Sequence, residues 1–184
     1  MTFLRSLIVF ALFLVASCQS GPQTTNQSTV NNQAQILIMF YGKTDTSSKM
    51  ASDIERVVKW DTMKTGAWRF TDSTNYSNDI SAIKLGIDSG NGELSNSLAQ
   101  NFQQKTGVAV LLIGNVKDDG TNAQIEYRLW EKGTAGIKSG ERLFMRSAAC
   151  CMRVGDIISD HVCKAQLNKD CQFDATESYR SVGK

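Results

Sequence analysis

The run QILIMFYG, Gln35 to Gly42, is apolar with no helical spacing. It reads as a β-strand covered on both faces, because a half-exposed strand would alternate. VAVLLIGNV, Val108 to Val116, is the most hydrophobic segment of the domain and reads as its central strand. A chain built on two such strands packs helices against its sheet.

The elements around them follow from period and punctuation. Met50, Ile54, Val57 and Val58 form one apolar stripe at helical spacing, with Thr46 to Ser48 offering an N-cap and Gly66 a stop. AWRFTD follows as a short strand, so strand, helix and strand suggest a right-handed crossover onto a parallel pair. Residues 73–91 show no clear pattern. Leu94, Leu98 and Phe102 then mark a second helix that ends at Gly107. Asp119-Gly120 signals a hairpin. In NAQIEYRLWEKG, Ile125, Tyr127 and Leu129 fall on one face and Gln124, Glu126, Arg128 and Trp130 on the other. ERLFMRS completes an antiparallel meander, a third helix spans about residues 148 to 167, and CQFDATESYRSV reads as a last strand. The expected fold is α+β: a single domain with one mixed sheet, β-α-β, then meander, then helix and last strand.

The amino terminus sets the location. MTFLRSLIVFALFLVAS has Arg5 as its only charged side chain, and Leu7 to Ala16 is apolar throughout. A membrane span needs about 20 such residues. A basic start, a short apolar core and small residues at the end describe a cleavable export signal over residues 1–17. Val15-Ala16-Ser17-Cys18 resembles the lipobox of bacterial lipoproteins, which implies that Cys18 is acylated; ordinary signal cleavage is the alternative. Two or more acyl chains hold a protein stably to a bilayer. Gln19 stands where an aspartate would imply inner-membrane retention, so the resemblance implies the outer membrane, with the anchor facing the periplasm. Residues 18–34 form the lipidated cysteine and a polar, uncharged tether that cannot bury enough surface to order itself. Its sixteen residues after Cys18 reach about 55 Å extended and about 20–25 Å as a flexible coil. The folded domain occupies residues 35–184.

Without residues 1–17 the chain has 19 basic and 18 acidic side chains. That balance, with no basic run, excludes a nucleic-acid partner. Of the five cysteines, Cys151 and Cys163 would lie about 18 Å apart along one helix, beyond bridging range. Cys163 with Cys171 is the candidate disulfide, and an exported chain permits it. Cys150 and Cys151 read as small buried helix residues. No metal site is expected, since His161 is the only histidine and no CxxC occurs.

No catalytic motif emerges. The sequence lacks GxSxG, a phosphate-binding loop and HExxH. His161 beside Asp160 has no motif-placed nucleophile and reads as a surface or capping residue. IDSGNGE has glycines where calcium ligands are needed, so it reads as a loop leading to a helix cap. No cofactor is implied, and the chain is not expected to be an enzyme. The candidate functional residues are instead aromatic. Trp130, on the polar-face parity beside Arg128, has the composition of a protein-binding hot spot; the alternatives are that helices cover that face or that Trp130 packs at the sheet edge. Trp60, near Lys59 and Asp61, is a second candidate of the same kind.

The strings MASDIERVVKWDTMKTGAWRF, GVAVLLIGNV, EYRLWEKGTAG and RVGDIISDHVCKAQLNKDCQFDATESYRSV resemble the amino-terminal domain of the TolB family. The matching positions are Gly66, Phe70, Gly114, Val116, Leu129, Trp130, Ile158 to Asp160, Val162, Phe173 and Tyr179. TolB continues into a β-propeller and is soluble in the periplasm, whereas this sequence stops at Lys184 and carries a lipobox. A lipidated, propeller-free form is similar to the LpoB-type lipoproteins, and IKLGIDSGNGELSNSLAQNFQQKTGVAVLLIG resembles their central part. These resemblances imply a non-catalytic adaptor or activator of the cell envelope, with a penicillin-binding protein or a Tol–Pal component as partner. The alternative is a structural subunit of an outer-membrane assembly or secretion complex.

Overall fold

A computed structural model describes residues 33–120, 122–133, 139–145 and 150–168, together with Cys171 and Phe173. These residues form a five-stranded mixed sheet and four α-helices, the α+β architecture expected. The strands are β1 (Ala34–Gly42), β2 (Trp68–Phe70), β3 (Val110–Asp118), β4 (Ala123–Glu131) and β5 (Ser139–Met145), in the order β2-β1-β3-β4-β5. The helices are α1 (Asp45–Lys64), α2 (Ser77–Asp88), α3 (Gly92–Thr106) and α4 (Cys150–Leu167).

β1 pairs in parallel with β2 and with β3, and β3, β4 and β5 form the antiparallel meander. β3 is the central strand, as its hydrophobicity implies. Both faces of the sheet are covered. On one face Ile36, Ile38 and Phe40 of β1 pack with Ile54 and Val58 of α1, and Ile125, Tyr127 and Leu129 of β4 pack with Val154, Ile158 and Val162 of α4. On the other, Leu37, Leu111 and Ile113 meet Ile80, Ile83 and Ile87 of α2 and Phe102 of α3. β1 and β3 therefore need apolar side chains at odd and even positions alike, which is why their sequences do not alternate.

Local chemistry sets the element ends. Thr44, rather than a residue of Thr46 to Ser48, caps α1: its hydroxyl accepts from the Ser47 N–H at 3.1 Å, and Ser47 Oγ accepts from the Thr44 N–H at 2.9 Å. The reciprocal bonds satisfy two groups, which a cap further along could not do. Gly66 and Gly107, at φ 65° and 79°, stop α1 and α3. The unreadable stretch resolves into a 3₁₀ turn at Thr74–Tyr76 and α2. Asn91 caps α3 by accepting from the Leu94 N–H at 3.0 Å, so IDSGNGE is a helix-to-helix junction. α4 lies against α1 through Gly155, where a Cβ would come within 2.6 Å of Val57 Cγ1.

Among the described residues no helix is long and apolar enough to cross a membrane. The signal peptide, Cys18, the tether and most of the expected last strand lie outside the described residues.

Candidate functional site

The two tryptophans singled out from the sequence have opposite environments. Trp130 does lie on the face of β4 shared with Gln124, Glu126 and Arg128, but that face is roofed by α3. Trp130 is 1 % exposed and belongs to the core on the α2–α3 side. Its indole Nε1 donates to Asn96 Oδ1 at 2.9 Å, and its carbonyl accepts from Gln103 Nε2 at 3.2 Å. Arg128 is half-buried and donates from Nη1 to Ser95 Oγ at 2.5 Å. Both residues fasten α3 to the sheet, so neither is the exposed contact residue that the sequence suggested.

Trp60 is half-buried on the side of α1 that overhangs β2, an edge strand. It lines a groove of about 560 Å³ with Ser52, Glu55, Arg56, Lys59, Met63 and Phe70. The α1 residues recur every three or four positions and so share one stripe of the helix. Trp60, Met63 and Phe70 make the apolar part, and Met63 is 52 % exposed. The charges are already engaged: Glu55 accepts from the Phe40 N–H at 2.9 Å and from Lys59 Nζ at 2.5 Å, and Arg56 pairs with Asp53 at 2.7 Å. The indole Nε1 of Trp60 is buried without any hydrogen-bond partner. A buried donor left unpaired costs about 1–3 kcal/mol, and such groups in a native fold call for a reason.

Glu55 has a structural role here. β2 pairs with β1 only as far as Ile36, so among the described residues the remaining edge of β1 lacks a neighbouring strand. The Glu55 carboxylate takes up the Phe40 N–H at that edge. Just past β2, Asp72 is held below the usual carboxylate range by the Thr74 backbone N–H and hydroxyl, with Lys59 adding to the effect.

A second polar cluster sits at the carboxyl ends of β1 and β3, the end of an open sheet where ligands often bind. Here it is knotted shut. Asp88 accepts from the Tyr41 hydroxyl at 3.0 Å and from Asn115 Nδ2 at 2.8 Å, and pairs with Lys43 at 3.0 Å. The Lys84 ammonium stands 4.8 Å over the Tyr41 ring. Burial, then the bond to Asp88, pushes the Tyr41 hydroxyl far up, and burial pulls Lys84 down.

The remaining candidates serve packing. His161 Nδ1 contacts the hydroxyl of buried Tyr127 and so ties α4 to β4, a more interior place than the surface or capping role expected. Cys163 and Cys171 are paired, with Cα atoms 6.1 Å apart. Cys151 is buried on α4. Among the described residues no group of three or more potential ligands could hold a metal ion.

No protein-family model matches the chain, and no curated protein matches it. Solved structures share its outline. TolB from Acinetobacter baumannii is 14% identical over 74% of this chain, with a TM-score of 0.48; the match spans 29% of TolB's own length. The LpoB C-terminal domain from Escherichia coli is 12% identical over 62% of this chain and 83% of that domain, with a TM-score of 0.42. Lipoprotein GNA1162 from Neisseria meningitidis is 10% identical over 70% of this chain and 96% of its own, with a TM-score of 0.41. Two of these names are the families that the sequence strings resemble. Likenesses this distant concern the course of the chain and carry no activity or partner.

Proposed function

We propose that this protein is an outer-membrane lipoprotein, anchored through Cys18 and facing the periplasm, that acts as a non-catalytic docking module for another envelope protein. The observation that carries the reading is the Trp60 groove: an apolar cleft with its charges already paired and a buried indole N–H left without an acceptor. A partner that fills the cleft would remove the apolar area of Trp60, Met63 and Phe70 from water. With the Cys18 anchor, the polar tether would span about 20–25 Å on average as a flexible coil. The sequence resemblances name a penicillin-binding protein or a Tol–Pal component as the partner class.

The test is in-cell photocrosslinking from a benzophenone-bearing residue at position 63, after separating inner and outer membranes. The wild type is expected to sediment with the outer membrane and crosslink to one envelope protein. Cys18→Ser should release the protein from the membrane, and Trp60→Ala should abolish the crosslink. A crosslink that survives Trp60→Ala would overturn the groove. Crosslinking only to further copies of this chain would replace the adaptor with a structural subunit.

A further inference from the structure

Resting on the docking reading above, we infer that the partner enters the groove as an extended segment that adds a strand to the edge of β2, placing an apolar residue beside Trp60 and an acidic residue beside Arg69. The register of β2 fixes which of its groups face outward. Ile36 lies opposite Phe70, and its carbonyl accepts from the Thr71 N–H at 2.8 Å. In a parallel pair, Arg69 and Thr71 therefore point their backbone groups at β1, whereas those of Phe70 point away from it. β2 ends the sheet on that side. Among the described residues nothing takes up the outward N–H and carbonyl of Phe70.

Strand edges are blunted by being very short, by charged side chains, by proline, by a bulge or by a covering loop, and β2 uses the first two, its three residues including exposed Arg69. WRF has no proline, and its three residues pair with β1 in unbroken register. The edge is short, so backbone pairing alone would bind weakly; the groove beside it supplies the rest.

Side-chain direction then specifies the occupant. Phe70 packs on the α1 face of the sheet, and a residue placed directly opposite it on an added strand points to that same face. That face at β2 is the groove, so an apolar side chain there meets Trp60, Met63 and Phe70. Its sequence neighbours point to the other face, where Arg69 is exposed and makes no hydrogen bond or ion pair among the described residues. An Asp or Glu at that position pairs with it, so the expected pattern is an apolar residue flanked by an acid. The point where the tether enters also limits the partner. Gln33 Nε2 donates to Gly66 O at 2.7 Å, and Ala34 pairs with Trp68, so the chain arrives next to β2. With the anchored reading above, the occupant is an extended stretch of an envelope protein within reach of the tether.

The test sequences the peptide crosslinked from position 63 of the full lipoprotein in cells and measures its yield in three variants. Phe70→Pro removes the outward N–H and leaves the β1–β2 bonds intact, Phe70→Leu keeps that N–H, and Arg69→Glu reverses the charge. The crosslinked peptide should be membrane-proximal with an apolar residue next to Asp or Glu, and Phe70→Pro should lower the yield about tenfold or more relative to Phe70→Leu. Arg69→Glu should lower it as well, which keeps the inference testable if the proline variant fails to melt cooperatively. If Phe70→Pro folds and crosslinks as Phe70→Leu does while Trp60→Ala abolishes the crosslink, strand addition is wrong and groove docking survives. Loss of effect in every variant, Trp60→Ala included, defeats both. A crosslinked helical peptide, lipid or second copy of this chain also overturns the inference.

Discussion

Trp130 and Trp60 each stand beside a helix and a charged neighbour in sequence, yet the fold treats them in contrary ways. Trp130 has a lid, α3, and a partner, Asn96, for its only polar atom. Among the described residues Trp60 has neither a lid over its groove nor an acceptor for its N–H. Exposure alone would not separate structure from function here, since Trp60 is itself half-buried. The difference that matters is completion: one indole is fully used by the fold, and the other leaves a bond unmade. The Tyr41–Asp88–Asn115 cluster is intermediate: its donors occupy the Asp88 carboxylate, while Asn115 Oδ1 is buried without a hydrogen-bond partner among the described residues.

The contrast can be broken most forcefully at its closed end. Trp130→Ala should cost about 3–5 kcal/mol and lower the midpoint of denaturant unfolding accordingly, because it empties a core site under α3. Asn96→Ala is milder. It strands the Trp130 N–H in the interior and should cost about 1–3 kcal/mol in the same assay.

A pH series sharpens the comparison at the Asp88 cluster. Tyr41 keeps its proton in the folded state well above the ordinary tyrosine value, whereas the unfolded chain loses it near pH 10. A group raised on folding gives stability that is whole below its unfolded pKa and lost as pH rises beyond it. Wild type should therefore lose stability relative to Tyr41→Phe between about pH 9 and pH 11. Equal slopes would mean that the hydroxyl is not held as described. The smallest stability effect belongs to the open end: Trp60→Phe keeps an aromatic ring at a half-buried site and deletes an N–H the fold does not use, so unfolding should shift by about 0.5 kcal/mol or less.

Much of this architecture was legible. The unbroken apolar runs gave β1 and β3 as doubly covered strands, the parity of β4 sorted its faces correctly, and the stripe ending at Gly66 marked α1. α2 escaped because its first turn is Ser77, Asn78 and Asp79, turn-forming residues, and its cap residue Tyr76 makes no side-chain capping bond. Ile80, Ile83 and Ile87 were the available signal. The fate of Trp130 was not legible, since parity assigns a face without saying whether a helix lies over it. The groove at Trp60 was legible only as a lone residue: Met63 and Phe70 join it because β2 is three residues long and sits at the sheet edge, which no local pattern announces.

The most direct test of the account is the yield of the position-63 crosslink in cells making Trp60→Phe, whose folded domain should match wild type. The account predicts that the yield falls several-fold, because the smaller phenyl ring removes part of the apolar wall on which the partner packs. A yield equal to wild type would contradict it, and Trp60 would then be a packing residue like Trp130.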